Sequence, residues 1–169
     1  TDTAPLCGTY PKTCLRRYDA HSLRCPQMYE WGLRILIRKV QSIAAQYDKA
    51  LVPIVSYCHK HYFRVFFQMY QSKSKATQMM LSHKRVCFNK ELQIITQEGE
   101  LLGPLYVGPL QSAKWRDKEH PLLKKVAEED KIDTLGYYHI PSIAKRLCIK
   151  SIPRFDSIMS TLAKQGYQV

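Results

Sequence analysis

The chain has 169 residues, 45% of them hydrophobic, enough to bury a core in one ordinary domain or two small ones, which excludes a disordered tail. Its 26 Lys and Arg against 14 Asp and Glu give a net charge of +12, which favours nucleic acid as partner over the ribosomal or membrane-surface roles that share such charge. No apolar run reaches the roughly 20 residues that span a bilayer, and no basic start leads into an apolar stretch, so neither membrane insertion nor secretion is expected.

Residues 1–25 hold turn formers and cations, among them Gly8, Pro11, Arg16, Arg17 and Arg24, and read as a connector with a short helix over 13–18. Pro26 then stands where a first helical residue tolerates proline. Leu33, Leu36, Ile37, Val40, Ile43, Ala44 and Tyr47 follow at helical spacing and predict a helix over 26–48. Its opposite face carries Arg34, Arg38 and Gln41, which serve either phosphate contact or solvation.

Two strand-like runs, 51–57 and 62–70, flank Cys58-His59-Lys60-His61 and predict an antiparallel hairpin. A helix followed by a hairpin often finishes an α/β sheet, with the last strand antiparallel to the rest. The polar, basic run 71–76 is the expected domain boundary, giving units of 1–70 and 71–169.

Short strands are expected over 86–88, 92–96 and 101–107. Gly103-Pro104 and Gly108-Pro109 mark the last as an edge or a bend. A helix over 119–129 follows on Leu122, Leu123 and Val126. In the tail, Ile140, Ile143, Ala144 and Leu147 suit one helix and residues 148–150 a turn. Phe155, Ile158, Met159 and Leu162 suit a second helix, with Pro153 in its first turn and Gly166 at its stop. This is a helix-turn-helix pattern, with a wing strand expected from Tyr167. The first six residues read as a strand running out into a loop and the last four as a strand just begun, so further polypeptide is expected at both ends.

Six cysteines, at 7, 14, 25, 58, 87 and 148, form no Cys-x-x-Cys pair and read as reduced structural thiols, favouring the cytoplasm. Seven glycines without a G-x-G rule out the phosphate-cradling and dinucleotide fingerprints. His59, Lys60, His61 and Arg64 are the densest polar cluster. With no carboxylate or nucleophile nearby, they suit a solvated hairpin tip or RNA contact better than acid/base chemistry. Tyr62, Arg64 and Phe66 alternate as a base-stacking face would, although strand alternation places Phe63, Val65 and Phe67 in a core. Arg146, Lys150, Arg154 and Lys164 offer phosphate contacts from the tail, unless its helices serve only packing.

Several ordered segments resemble the back part of the tRNA guanine-26 N2-dimethyltransferase family, above all its archaeal members. Thr1-Asp2-Thr3-Ala4-Pro5-Leu6-Cys7-Gly8 is similar to that family's loop after the fifth strand of the methyltransferase sheet. Arg17-Tyr18-Asp19-Ala20 resembles the segment leading to Trp31-Gly32-Leu33-Arg34-Ile35-Leu36. Tyr47-Asp48-Lys49-Ala50, His61-Tyr62-Phe63-Arg64-Val65 and Gly103-Pro104-Leu105-Tyr106-Val107-Gly108-Pro109-Leu110 then match in order.

The resemblance implies an α/β fold: the end of a class I, Rossmann-like methyltransferase sheet closing in the hairpin, followed by a small α+β domain with a winged-helix-like tail. It implies S-adenosylmethionine as methyl donor and the exocyclic N2 of guanosine 26 in tRNA as acceptor. The donor pocket and catalytic loop would lie in a front half upstream of Thr1, so no catalytic, donor-binding or metal residue is expected in this chain. Where many relatives carry two close cysteine pairs, residues 81–101 offer only Cys87 with His83 nearby, so no zinc is expected. The expected tRNA contacts are Arg16, Arg17, Arg24, Arg34, Lys60, His61, Arg64, Arg146, Lys150 and Arg154. The alternative is a non-enzymatic, basic winged-helix protein that binds nucleic acid.

Overall fold

The structure, a computed structural model, describes residues 3–88, 94–95, 100–112, 124 and 135–167. Helix α1 (Pro11–Tyr18) opens on a proline whose missing N–H is no loss in a first turn. It ends at Asp19, which takes a left-handed conformation (φ 51°) and donates its N–H to the Leu15 carbonyl. The connector around it folds back on itself. Gly8 has φ +80°, and a Cβ there would lie 2.5 Å from the Arg24 nitrogen, so only glycine lets the two arms meet.

Helix α2 (Met28–Ala45) is the central element. It packs against strand β1 (Lys49–His59) and also against strand β5 (Glu100–Tyr106), so burial extends around much of it. Trp31, Leu33, Ile35 and Ile37 enter one core with Leu6, Cys14, Phe63, Leu102 and Leu105. Gly32 permits the closest approach, since a Cβ there would meet the Leu6 carbonyl and the Phe63 ring at 3.0 Å. The face expected to be polar is therefore not free: Arg34 and Gln41 are both buried, because a second layer covers it.

Strands β1 and β2 (Tyr62–Gln71) form the expected hairpin, from Lys49 opposite Gln71 to His59 opposite Tyr62. The register shifts between Pro53 and Val55, where a proline cannot donate to the ladder. The outer edge of β1 is covered. Gln111 accepts from the Ser56 N–H at 3.1 Å and donates to the Ser56 carbonyl at 3.3 Å, and the Ser112 N–H reaches the Ile54 carbonyl at 3.1 Å. Among the described residues, no strand pairs with the outer edge of β2.

The run 71–76, expected as a boundary, is instead the end of β2 and the first turn of helix α3 (Lys73–Met80). Ser72 caps α3 by accepting the Lys75 N–H, and Ala76 and Met79 pack on Ala50. Two buried anchors in eight residues are too few to register as periodicity. The compact units divide at 136/137, as Thr1–Gly136 and Tyr137–Val169, and not at 70/71.

Strand β3 (His83–Phe88) lies between β4 (Ile94–Ile95) and β5 in an antiparallel sheet, which puts the strand with Gly103-Pro104 at an edge. Gly103 also exchanges two backbone hydrogen bonds of 2.8 Å with His21, tying the connector to β5. The helix expected over 119–129 falls outside the described residues except for Lys124.

In the second unit, α4 (Ile140–Arg146) and α5 (Phe155–Lys164) match the expected pair. His139 caps α4, its Nδ1 accepting the Ser142 N–H. Pro153 precedes α5 and does not enter its first turn: Arg154 is the cap and its carbonyl accepts from Ser157. Gly166 (φ +85°) ends α5, and the Tyr167 N–H returns to the Leu162 carbonyl. The expected wing falls mostly on residues 168–169, outside the described residues. The architecture is α/β with small antiparallel sheets.

Candidate nucleic-acid interface

The hairpin tip gathers the densest set of predicted contacts. Lys60 and His61 form its turn, with Lys60 in a left-handed conformation (φ 52°), and both are exposed. The Tyr62 ring lies 5.6 Å from the His59 ring and 6.2 Å from the His61 ring, and the Arg64 guanidinium sits 5.5 Å over it. A tyrosine bearing a cation beside two imidazoles can take a base or a phosphate. The Thr3 N–H reaches the His61 carbonyl at 3.4 Å, so the tip lies against the connector's first described residue.

On the connector, Arg16 and Arg17 are exposed in the last turn of α1, where the helix dipole also favours cations. Arg24 is exposed at the Gly8 crossing. In the second unit Arg146, Lys150 and Arg154 are exposed around the α4–α5 turn, with Lys164 near the end of α5.

Arg34 does not belong with them. It is only 4% exposed, and its guanidinium is taken up by Glu30 at 2.8 Å and by the carbonyls of Tyr106 and Gly108 at 3.2 and 2.9 Å. Glu30 also accepts the Gly136 N–H at 2.9 Å. The pair thus fastens α2 to the 103–110 segment. Its spacing, an acid and an arginine one turn apart, was visible in sequence, but its burial was not. Phe63 is buried, while Phe66 is exposed on the opposite face of β2, as alternation predicts.

Sequence reasoning weighed His83 only as a metal ligand beside Cys87 and missed its structural role. Gln41 donates to the Leu51 carbonyl, which leaves its Oε1 to accept from His83 Nε2 at 2.8 Å. His83 Nδ1 is buried and has no hydrogen-bond partner among the described residues. Burial, assisted by the Arg38 charge, lowers its pKa to about 4, so it is a neutral structural histidine.

The first unit's acids with described side chains are Asp19, Glu30 and Asp48, and each lies against a cation: Arg38, Arg34 and Lys73. A class I methyl donor needs a carboxylate for its ribose hydroxyls and little positive charge near its sulfonium, so the described residues do not fit it. Burial raises the pKa of the Cys14 and Cys58 thiols, which makes both poor nucleophiles. Among the described residues no three His, Cys, Asp or Glu side chains converge as a metal site would need.

The sequence model of a family described as N2,N2-dimethylguanosine tRNA methyltransferase matches residues 1–169. A tRNA (guanine(26)-N(2)/guanine(27)-N(2))-dimethyltransferase of Aquifex aeolicus is 35% identical, covering 90% of this chain and 47% of its own length. A tRNA (guanine(26)-N(2))-dimethyltransferase of Thermococcus kodakarensis is 31% identical, with 99% of this chain and 49% of its own length covered. The solved complex of Trm1 from Pyrococcus horikoshii with S-adenosyl-L-methionine superposes with a TM-score of 0.82 at 29% identity, over 99% of this chain and 50% of that one. The chain spans about half the length of the curated relatives it matches.

Proposed function

Because the chain belongs to the N2,N2-dimethylguanosine tRNA methyltransferase family, we propose that it is the tRNA-docking and scaffold portion of an S-adenosylmethionine-dependent enzyme that mono- or dimethylates guanosine 26 on N2. The match of the family model to residues 1–169 carries this reading. The donor supplies the methyl group as a sulfonium, held by a front half outside this chain. Guanine N2 is a weak nucleophile, its lone pair delocalised into the ring, so rate must come from positioning the base and polarising its surroundings. The exposed cations of the connector, the hairpin tip and the α4–α5 turn position the tRNA by its phosphates.

The open edge of β2 supports placing residues 1–70 at the end of a class I methyltransferase sheet. With β1 covered by Gln111 and Ser112, β2 is the edge left to pair with a strand from the front half. Residues 71–169 form the RNA-docking part in role, although the compact units divide elsewhere. The α4–α5 pair and its basic turn support a winged-helix-like contact, with α5 toward RNA. Six scattered cysteines with no Cys-x-x-Cys pair support a reducing, cytoplasmic setting.

The test is nucleoside mass spectrometry of tRNA after incubation with the donor and the complete enzyme that contains this chain. N2-methylated guanosine should appear at position 26 and disappear when that guanosine is replaced. Unmodified tRNA would overturn the assignment.

A further inference from the structure

Between Asp48 and Glu91 the chain has eight Lys and Arg and no Asp or Glu, so this stretch carries +8 of the net +12. The hairpin tip uses Lys60 and Arg64. Four more of these cations, Lys73, Lys75, Lys84 and Arg85, lie on α3 and the start of β3, and all four are exposed.

A solvated helix face ordinarily mixes acids with its bases, since i,i+4 pairs of opposite sign stabilise it and like charges do not. Here Ala76 and Met79 face the core, while Lys73, Ser74, Lys75, Thr77 and Gln78 face solvent without one acid. The described compensation is slight: Lys73 stands 3.9 Å from Asp48, with both side chains well exposed. Lys75 is held, but not neutralised, 4.0 Å over the Tyr70 ring. Uncompensated charge on packed elements raises the energy of the free protein, and a polyanion relieves it.

We infer that α3 and the start of β3 form a second phosphate-contacting surface for RNA, carried by Lys73, Lys75, Lys84 and Arg85. It begins at the end of the hairpin remote from the tip, just after Gln71, and rests on the tRNA-docking role proposed above. Its contacts are to backbone phosphate, with no base recognition, so it adds affinity without sequence preference.

The experiment measures tRNA affinity of the whole chain against salt for the wild type and for two double variants, K73Q/K75Q and K84Q/R85Q. Each double variant should weaken binding about fivefold or more at moderate salt. Each should also flatten the slope of log affinity on log salt by about two, roughly one per lost phosphate contact. A second measurement needs no variant: bound tRNA should protect Lys73, Lys75 and Lys84 of the wild type from amine acylation, read by mass spectrometry. If the wild type binds tRNA while both variants keep its affinity and slope and the three lysines stay reactive, this surface is ruled out and tRNA docking stands. A wild-type chain that binds no tRNA overturns both ideas, as does one that binds anionic phosphatidylserine vesicles in preference to tRNA.

Discussion

Arg34 and Glu30 lie one turn apart on α2 and meet at 2.8 Å with little of either side chain in water. The same guanidinium donates to the carbonyls of Tyr106 and Gly108, so one side chain joins the central helix to the end of β5 and the turn after it. Replacing it by methionine strands a buried carboxylate and removes two hydrogen bonds. The Arg34→Met protein should lose about 3 kcal/mol or more in urea unfolding. Because Arg34 faces inward, the folded fraction should keep the wild-type salt slope for tRNA, and a slope reduced by one would return Arg34 to the RNA surface.

His83 makes stability depend on pH. Its pKa is lowered in the fold, from 6.5 to about 4, chiefly by burial. Between those values the unfolded chain binds more protons than the native one, so stability rises with pH across that window. The His83 contribution is complete above pH 6.5 and lost by pH 4. Thermal melts from pH 4 to 7 should show this slope reduced in His83→Gln; an identical slope would assign the acid sensitivity to other groups.

Gly8 is held at φ +80° against the backbone of Arg24. An alanine there adds both strain and a clash, so Gly8→Ala should destabilise the chain by roughly 1–3 kcal/mol. Trypsin should cut after Arg24 sooner than in the wild type. Unchanged cleavage would mean that the connector's fold does not depend on this crossing.

Arg16, Arg17 and Arg24 project from that connector. Replacing all three by alanine should weaken tRNA binding several-fold, with a shallower salt dependence. Unchanged affinity would remove the connector from the footprint.

Of the first unit's described carboxylates, Glu30 is taken up by Arg34, while Asp19 and Asp48 lie exposed beside Arg38 and Lys73, cations that disfavour a sulfonium donor. Calorimetric titration of this chain with S-adenosylmethionine should therefore give no binding heat. A measurable affinity would show that part of the donor pocket lies within these residues.

The elements that sequence reading placed well satisfy themselves locally. A proline start and helical apolar spacing marked α2, alternation with a polar turn marked the hairpin, and a glycine stop marked α5. Helix α3 escaped because its burial rests on two residues, although Ser72 before it was a legible cap. The same two residues explain why 71–76 read as a linker: polar composition looks like one whether or not Ala76 and Met79 anchor the helix that starts there.

Sequence by itself pointed to the family through the resemblance of its ordered segments, and determined the cationic character and the identity of the main helix and hairpin, since charge and periodicity belong to the chain before it folds. Only the tertiary structure decided which cations are available. Arg34 and Arg16 are the same residue type, each on a helix, yet α2 lies between two sheets and α1 between core and solvent, so one guanidinium is consumed by carbonyls and the other projects outward. That distinction depends on which surfaces meet across long sequence separations, and no local pattern encodes it.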